Sequence, residues 1–229
     1  MKISVITPTC FRPQMFREMC MSLINTTQKY EIEHIVLIDE DNETLSIALG
    51  IWNHLLNRNQ MRIRFCKKTM GALSSWNKGL ELSTGNVIVP SSDDQLFYPD
   101  WLKYALENLE TKLNGYGVVG MNDLAYSEEQ VATMFLFTRD YCKDHMGGVI
   151  APPEYDYLCV DLEWNEKAKM TGHYTRDMRA IVEHRHSAHG KRPFDKHDES
   201  KTQDMVNKDT ATFERRKAKG FPITWKPLI

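Results

Sequence analysis

The 229-residue sequence predicts an α/β protein of one domain, with a mixed, mostly parallel sheet carrying helices on both faces. Three observations point to it. Strand-like and helix-like segments alternate through roughly the first 100 residues. Val87-Ile88-Val89 is an unbroken apolar run, as suits a short strand buried on both sides. Three strand segments end in polar residues, namely Thr7 and Thr9, Asp39 and Asp41, and Asp93 and Asp94. Such ends line one crevice at the carboxyl edge of an open α/β sheet, where ligands bind.

Lys2 to Thr7 is rich in β-branched residues and reads as the first strand. Thr7-Pro8-Thr9-Cys10-Phe11-Arg12-Pro13 breaks it. Pro13 suits the first turn of a helix, where a missing N–H loses no bond. Phe16, Met19, Leu23 and Ile24 give that helix its buried stripe. His34 to Ile38 is a second apolar strand, ended by Asp39-Glu40-Asp41-Asn42. A helix is expected over 43–57, with Ile47, Ile51 and Leu55 on one face, and a strand over 62–66. The loop Lys67 to Gly71 leads to a helix over 72–82 carrying Trp76. Leu80 and Leu82 close that helix, and Gly85 stands where a left-handed C-terminal cap is expected. After the Asp93-Asp94 pair, Pro99 suits the first turn of the next helix, whose Leu102, Ala105, Leu106, Leu109 and Leu113 keep helical spacing.

From Gly117 the pattern changes. Val118 to Met121 and Ala132 to Thr138 read as strands around a polar loop, and Gly147-Gly148 and Pro152-Pro153 punctuate another loop. Cys159 to Thr171 is a helix with Val160, Trp164 and Ala168 on one face, ended by Gly172. A last strand is expected over 178–183. Beyond it the chain is polar and rich in His and basic residues, with a helix expected over 200–219 and a tail over 221–229. The tryptophans Trp76, Trp101 and Trp164 read as core residues.

Composition sets the remaining bounds. Hydrophobic content of 41% and charged content of 26% are ordinary for a globular chain. A net charge of −2 advertises no nucleic-acid or membrane partner, although 11 Lys and Arg against 7 Asp and Glu from Ile181 onward make a local basic patch. The cysteines number five and lack metal-ligand spacing, which reads as reduced thiols in a reducing, cytoplasmic compartment. Met1 leads directly into a strand, which leaves no room for a signal peptide, and no apolar run approaches the ~20 residues that span a bilayer. No Gly-x-Gly-x-x-Gly follows the first strand, and there is no Walker-type loop.

Adjacent aspartates repel each other unless solvated or bridged by a cation. Oxygen donors of this kind suit Mg²⁺ or Mn²⁺, with phosphate oxygens completing the shell. The same pair could simply cap a turn or the following helix.

Several motifs, taken in order, resemble the GT-A glycosyltransferases of the family 2 type. Ile6-Thr7-Pro8-Thr9-x-x-Arg12-Pro13 resembles the family's nucleotide-binding first loop. Leu37-Ile38-Asp39 resembles its second-strand carboxylate that contacts the base. Asn77-x-Gly79, Gly85-Asn86, Ser92-Asp93-Asp94 and Pro99-x-Trp101 resemble its metal-binding segment. Val160-Asp161-Leu162-Glu163-Trp164 up to Gly172 resembles the segment carrying the catalytic base. The likeness covers about residues 2–190 and departs twice: the metal segment reads Ser-Asp-Asp rather than Asp-x-Asp, and Val160 stands where a Glu usually precedes the base.

The resemblance implies a GT-A domain over 1–190, with a nucleotide-sugar half (1–100) and an acceptor half (101–190), followed by a basic C-terminal helix and tail (191–229). It implies metal-dependent, inverting transfer of a sugar from a nucleotide sugar, by family expectation a UDP-sugar, to an acceptor hydroxyl. Asp161 would be the base. Asp94 would hold Mn²⁺ or Mg²⁺ with Asp93 orienting it, and His186, in preference to His184, would complete the shell. Thr7, Pro8, Thr9, Arg12, Asp39, Asp41, Lys67, Gly71 and Asn77 would fix the donor. Residues 147–157 would shape the acceptor side. Bacteriophage-type enzymes of this kind glycosylate hydroxymethylated pyrimidines in DNA, so such DNA is one acceptor to consider and a saccharide or other small molecule is another. Two further classes stay open: a sugar-phosphate nucleotidyltransferase, which normally shows a Gly-rich loop after strand one, and a non-catalytic nucleotide-sugar-binding module. No membrane and no obligate protein partner is implied.

Overall fold

The computed structural model describes residues 1–55 and 60–226. Its strands are β1 (Lys2–Thr9), β2 (Glu31–Asp39), β3 (Gln60–Cys66), β4 (Val87–Pro90), β5 (Gln95–Phe97), β6 (Val118–Asn122), β7 (Met134–Thr138) and β8 (Tyr174–His184). The helices are α1 (Pro13–Thr26), α2 (Asn42–Leu55), α3 (Ala72–Leu82), α4 (Trp101–Leu113), α5 (Arg139–Met146), α6 (Val160–Met170), α7 (Lys196–Glu199) and α8 (Gln203–Lys217). The strands lie in the order β3-β2-β1-β4-β7-β6-β8-β5. β3, β2, β1 and β4 run parallel, β7 is antiparallel to β4 and β6, and β6 and β8 pair in parallel. The sheet is thus mixed and mostly parallel, as the alternation of elements predicts.

Side-chain alternation builds a core on each face. Ile3 and Val5 of β1, Val36 and Ile38 of β2, and Val87 and Val89 of β4 pack with Phe16, Met19 and Leu23 of α1 and with Trp101, Leu102 and Leu109 of α4. Ile6, Ile35, Leu37 and Ile88 point the other way, to Leu80 of α3, Tyr141 of α5 and Trp164 of α6. Gly79 lets α3 lie close on the sheet, because a Cβ there would meet Ile6 Cγ2 at 2.2 Å. β1 and β4 are neighbours, and the chain leaves β1 toward β2 on one side but leaves β4 toward β5 on the other. That switch point opens a crevice at the carboxyl ends of the strands.

Several boundaries differ from expectation. Gly85 is not a left-handed cap: Ser83 ends α3 in extended backbone, its N–H donating to Leu80. The glycine serves close approach instead, since a Cβ would lie 2.5 Å from Ser4 Oγ and 2.7 Å from Ser4 N. Pro99 precedes rather than opens α4, which begins after Asp100 at a φ of 61°. β8 starts at Tyr174, four residues early, because its first half is half-buried and polar while pairing with β6. α5 has no apolar stripe in sequence and buries only Tyr141, Cys142 and Met146. The expected last two residues of the second helix, 56–57, and the end of the tail, 227–229, lie outside the described residues. Phe221, expected in a tail, is buried, and its carbonyl accepts from Lys167 Nζ at 2.7 Å. No helix among the described residues is long and apolar enough to cross a membrane.

Candidate active site

A cavity of about 470 Å³ opens at the switch point, within the range of small-molecule sites. Its walls include Pro8, Thr9 and Arg12 after β1, Asp39 at the end of β2, Gly71 and Trp76 at α3, Asp93 and Asp94 after β4, Asp161 on α6, and His184 and His186 at the end of β8. Ten of the residues that the sequence nominates therefore meet in one space.

Four do not. Thr7 is buried with its hydroxyl on His34 Nε2 at 2.9 Å, within the sheet. Asp41 caps α2, its Oδ1 accepting from the amides of Glu43 and Thr44, and its Oδ2 receiving Phe11 N–H at 2.8 Å. Asn77 clamps the loop after α5, accepting from the amides of Ile150 and Ala151 and donating to the Ala151 carbonyl. Lys67 is exposed and away from the cavity walls. Each polar residue of this group is committed to backbone or neighbour, except Lys67, which is solvated.

Asp39 is half committed. Its Oδ2 accepts from Met70 N–H at 2.9 Å and Gly71 N–H at 3.1 Å, whereas its Oδ1 is buried and has no partner. Burial pushes this carboxyl above its ordinary range against the pull of those two amides. An orphaned buried acceptor facing a cavity calls for a donor from a ligand.

The aspartate pair is tightly held. Thr9 Oγ1 donates to Asp93 Oδ2 at 2.8 Å, and Arg12 Nη1 stands 3.2 Å from Asp93 Oδ1 and 3.4 Å from Asp94 Oδ2. Asp94 Oδ1 receives Ser92 Oγ at 2.5 Å and faces His184 Nε2 at 3.4 Å. Burial and the neighbouring Asp94 charge push Asp93 up, against Arg12 and Thr9. Burial would raise Asp94 too, but His184, Ser92 and Arg12 together hold it well below the carboxylate range. His186 caps the following turn, its Nδ1 accepting from Ala188 N–H at 3.0 Å, and burial lowers its pKa, favouring the neutral ring.

Among the described residues no three His, Cys, Asp or Glu side chains converge to hold a metal ion by themselves. The Asp94–His184 pair nevertheless fits one. Two donors each about 2.1 Å from a shared octahedral ion stand about 3 Å apart, and Mg²⁺ or Mn²⁺ takes few protein ligands when phosphate oxygens complete the shell.

Asp161 lies in the first turn of α6, half-buried, with Leu162 N–H on its Oδ1 at 2.9 Å. Burial raises its pKa against that hydrogen bond. Tyr126, Thr133, Phe135 and Tyr157 line the same cavity.

Sequence reading missed the residues that the C-terminal segment brings. Arg192 forks onto Asp198, Nη1 to Oδ2 at 2.6 Å and Nη2 to Oδ1 at 2.8 Å, and its Nε lies 3.8 Å from Asp94 Oδ2 with no hydrogen-bond partner. Arg12 bridges to the same segment through Asp195 and Asp198. Lys201 sits 3.5 Å from the Tyr157 ring centre, and burial with the Arg12 charge lowers its pKa to about 8. A polar stretch without periodicity carries no signal for this placement. Much of the C-terminal basic patch is spent in pairs: Arg185 with Glu18, Lys191 with Glu183, Arg215 with Glu154, Arg216 with Glu163 and Lys217 with Glu166.

The sheet order and the acidic strand ends around one cavity define a GT-A glycosyltransferase fold. The chain belongs to glycosyltransferase family 2, whose model, described as Glycosyl transferase family 2, matches residues 4–145. No curated protein matches it in sequence. Among solved structures it resembles the mannosyltransferase PcManGT of Pyrobaculum calidifontis in complex with GDP-Man and Mn²⁺ (TM-score 0.62, 16% identity, covering 79% of this chain and 55% of that one). TarS 1–349 of S. aureus with UDP-GlcNAc gives a TM-score of 0.66 at 17% identity, covering 91% and 64%. Glucosyl-3-phosphoglycerate synthase of Mycobacterium tuberculosis with Mn²⁺, UDP and phosphoglyceric acid gives 0.63 at 12%, covering 98% and 80%. The chain thus spans little more than half the length of the mannosyltransferase and under two thirds of the TarS fragment. Identities this low show a shared fold.

Proposed function

We propose that the protein transfers a sugar from a UDP-sugar to an acceptor hydroxyl with inversion at the anomeric carbon. The observation that carries the reading is the juxtaposition, in one cavity, of the unpartnered Asp39 Oδ1, the Asp94–His184 pair and the desolvated Asp161. Asp39 Oδ1 accepts the N3–H of uracil, which supplies its missing donor. Asp94 Oδ1 and His184 Nε2 hold the divalent cation, with His184 taken over His186 because its Nε2 faces the carboxylate. When bound, that ion neutralises the charge of the diphosphate.

The chain's own groups do the rest. Arg12 keeps Asp94 oriented through Oδ2, and the unpartnered Arg192 Nε donates to a diphosphate oxygen. As the acceptor oxygen attacks the anomeric carbon, Asp161 takes its proton. The bond to the diphosphate breaks on the opposite face, and its electron pair leaves on the phosphate oxygen. A carboxyl whose pKa is raised by burial is the stronger base for that step.

We propose a small hydroxyl-bearing acceptor rather than hydroxymethylated DNA. The reason is that the C-terminal cations pair internally and leave few for phosphates. The test is a panel of UDP-, GDP- and CDP-sugars with Mn²⁺, read as nucleotide release and as thermal shift, on wild type and Asp94→Ala. A Mn²⁺-dependent UDP shift of roughly 5–10 °C at a hundredfold excess over Kd, lost in the variant, supports the reading. No shift and no release with any nucleotide sugar would overturn it in favour of a non-catalytic module. Tight, salt-sensitive binding to duplex DNA would restore the DNA acceptor.

A further inference from the structure

The loop entering α6 is held by the C-terminal helix. Asp209 of α8 is fully buried, and its carboxylate gathers the N–H groups of three consecutive residues. Asp156 donates to Oδ1 at 2.9 Å, and Tyr157 and Leu158 donate to Oδ2 at 2.7 and 2.6 Å. Tyr157 and Leu158 line the cavity. The next residue, Cys159, is the N-cap of α6 at a φ of 68°, with no side-chain cap. A non-glycine residue in the left-handed region persists only where its surroundings over-determine it. Here α8 supplies the constraint on both sides. Asp209 fixes the residues before the corner, and Arg216 forks onto the buried Glu163 after it, Nε to Oε2 at 2.7 Å and Nη2 to Oε1 at 2.8 Å. Asp161 stands between the two anchors.

Burying a carboxylate is costly, and a loop can satisfy its amides with water. Three charge-assisted bonds offset that cost only while the amides converge on one point, which makes Asp209 a device for geometry. We propose that Asp209 is a positioning residue for Asp161. By gathering the 156–158 amides it sets the turn at Cys159, and with it the direction in which the first turn of α6 presents the carboxylate. It touches no substrate, and the inference rests on the reading of Asp161 as the base.

The test compares wild type, Asp209→Asn, Asp161→Asn and Phe213→Leu on the full chain, with UDP-glucose and Mn²⁺ as probe and UDP release to water as readout. Asparagine keeps the shape but turns an NH₂ group toward amide donors. Asp209→Asn should lower kcat about 10–100-fold, the scale of an ångström's misplacement, with the donor KM within about twofold. Its loosened corner admits water, so the acid limb of kcat should move to lower pH, toward an ordinary aspartate. Phe213→Leu removes packing on the same helix and should lower stability with kcat and the acid limb unchanged. Amide hydrogen exchange on the wild type checks the anchor without any variant: the amides of 156–158 should be protected.

Unprotected amides there would overturn the proposal, as would an Asp209→Asn protein with wild-type kcat and acid limb beside an inactive Asp161→Asn. A Phe213→Leu protein that reproduces the Asp209→Asn profile would reduce the effect to stability and overturn it too. Undiminished activity in Asp161→Asn would instead overturn the base assignment, and no release by wild type across the donor panel would overturn the transfer reading; either removes the ground of this proposal.

Discussion

His184 Nε2 stands 3.4 Å from Asp94 Oδ1, so the end of β8 closes against the loop after β4. Backbone bonding holds the approach, because Arg185 N–H donates to the Asp94 carbonyl at 2.9 Å and β5 pairs with β8 beside it. The pair is therefore built by the sheet and not by chance side-chain reach.

His184→Ala should weaken Mn²⁺ and Mn²⁺-dependent UDP binding by at least about tenfold, the scale on which perturbed metal ligation acts. His186→Ala should leave both within about twofold, because its ring nitrogen Nδ1 is engaged with Ala188 N–H. Titration calorimetry of UDP with and without Mn²⁺ separates the two. Equal losses in both variants would show that the ion sits deeper between the rings.

Asp39→Asn tests the nucleotide base. The amide's one oxygen must stay on the Met70 and Gly71 N–H groups, so its NH₂ turns toward the ligand. Against uracil N3–H that is donor on donor, and a hydrogen bond to a charged group is worth about 1.5–3 kcal/mol. UDP affinity should fall about 10–100-fold. Cytosine presents an acceptor at N3, so CDP should lose less than UDP or gain. A uniform loss across both nucleotides would move the contact elsewhere.

How far these residues were legible in the sequence follows from where their signals lie. Thr9, Asp39, Asp93, Asp94 and Asp161 each stand at the end of a strand or start of a helix that periodicity locates, so the fold argument carries them to one edge. Thr7 shares a face with Thr9 but lies one pleat short of the strand's end, where its hydroxyl is spent on His34 of the neighbouring strand, a pairing that no single strand reveals. Asp41 reads like its neighbour Asp39 in sequence, yet helix capping claims it. Arg192 and Asp209 lie in a polar segment whose position is set by ion pairs and buried carboxylates, and neither leaves a periodic trace.

The activity should carry an acid limb displaced upward. Burial raises the Asp161 pKa above the ordinary aspartate value of about 3.9. Below its raised pKa the group is protonated and cannot accept a proton, so kcat falls as pH drops through it. Asp161→Asn should remove that limb and lower kcat by about 10²–10⁴-fold while UDP still shifts the melting temperature. An acid limb at an ordinary aspartate pH would mean that substrate binding rehydrates the group.

The joint between α8 and α6 should be a main determinant of stability. Arg216 and Glu163 are both fully buried, the fork is bidentate, and Tyr155 Oη adds a third bond to Glu163 Oε2 at 2.8 Å. Removing one partner of a buried pair strands the other charge, at a cost of about 3–5 kcal/mol. Arg216→Ala should therefore lower Tm by roughly 6–20 °C, taking ~2–4 °C per kcal/mol for a chain of this size. Replacing both partners, as in Glu163→Leu with Arg216→Met, removes the stranded buried charge and should recover most of that loss, short of the bonds that Tyr155, Glu154 and the Pro222 carbonyl then lack. Differential scanning calorimetry of the two single variants and the double gives the coupling directly. Additive losses would show that the pair is hydrated in solution and that α8 is held by packing, through Phe213 against Phe221.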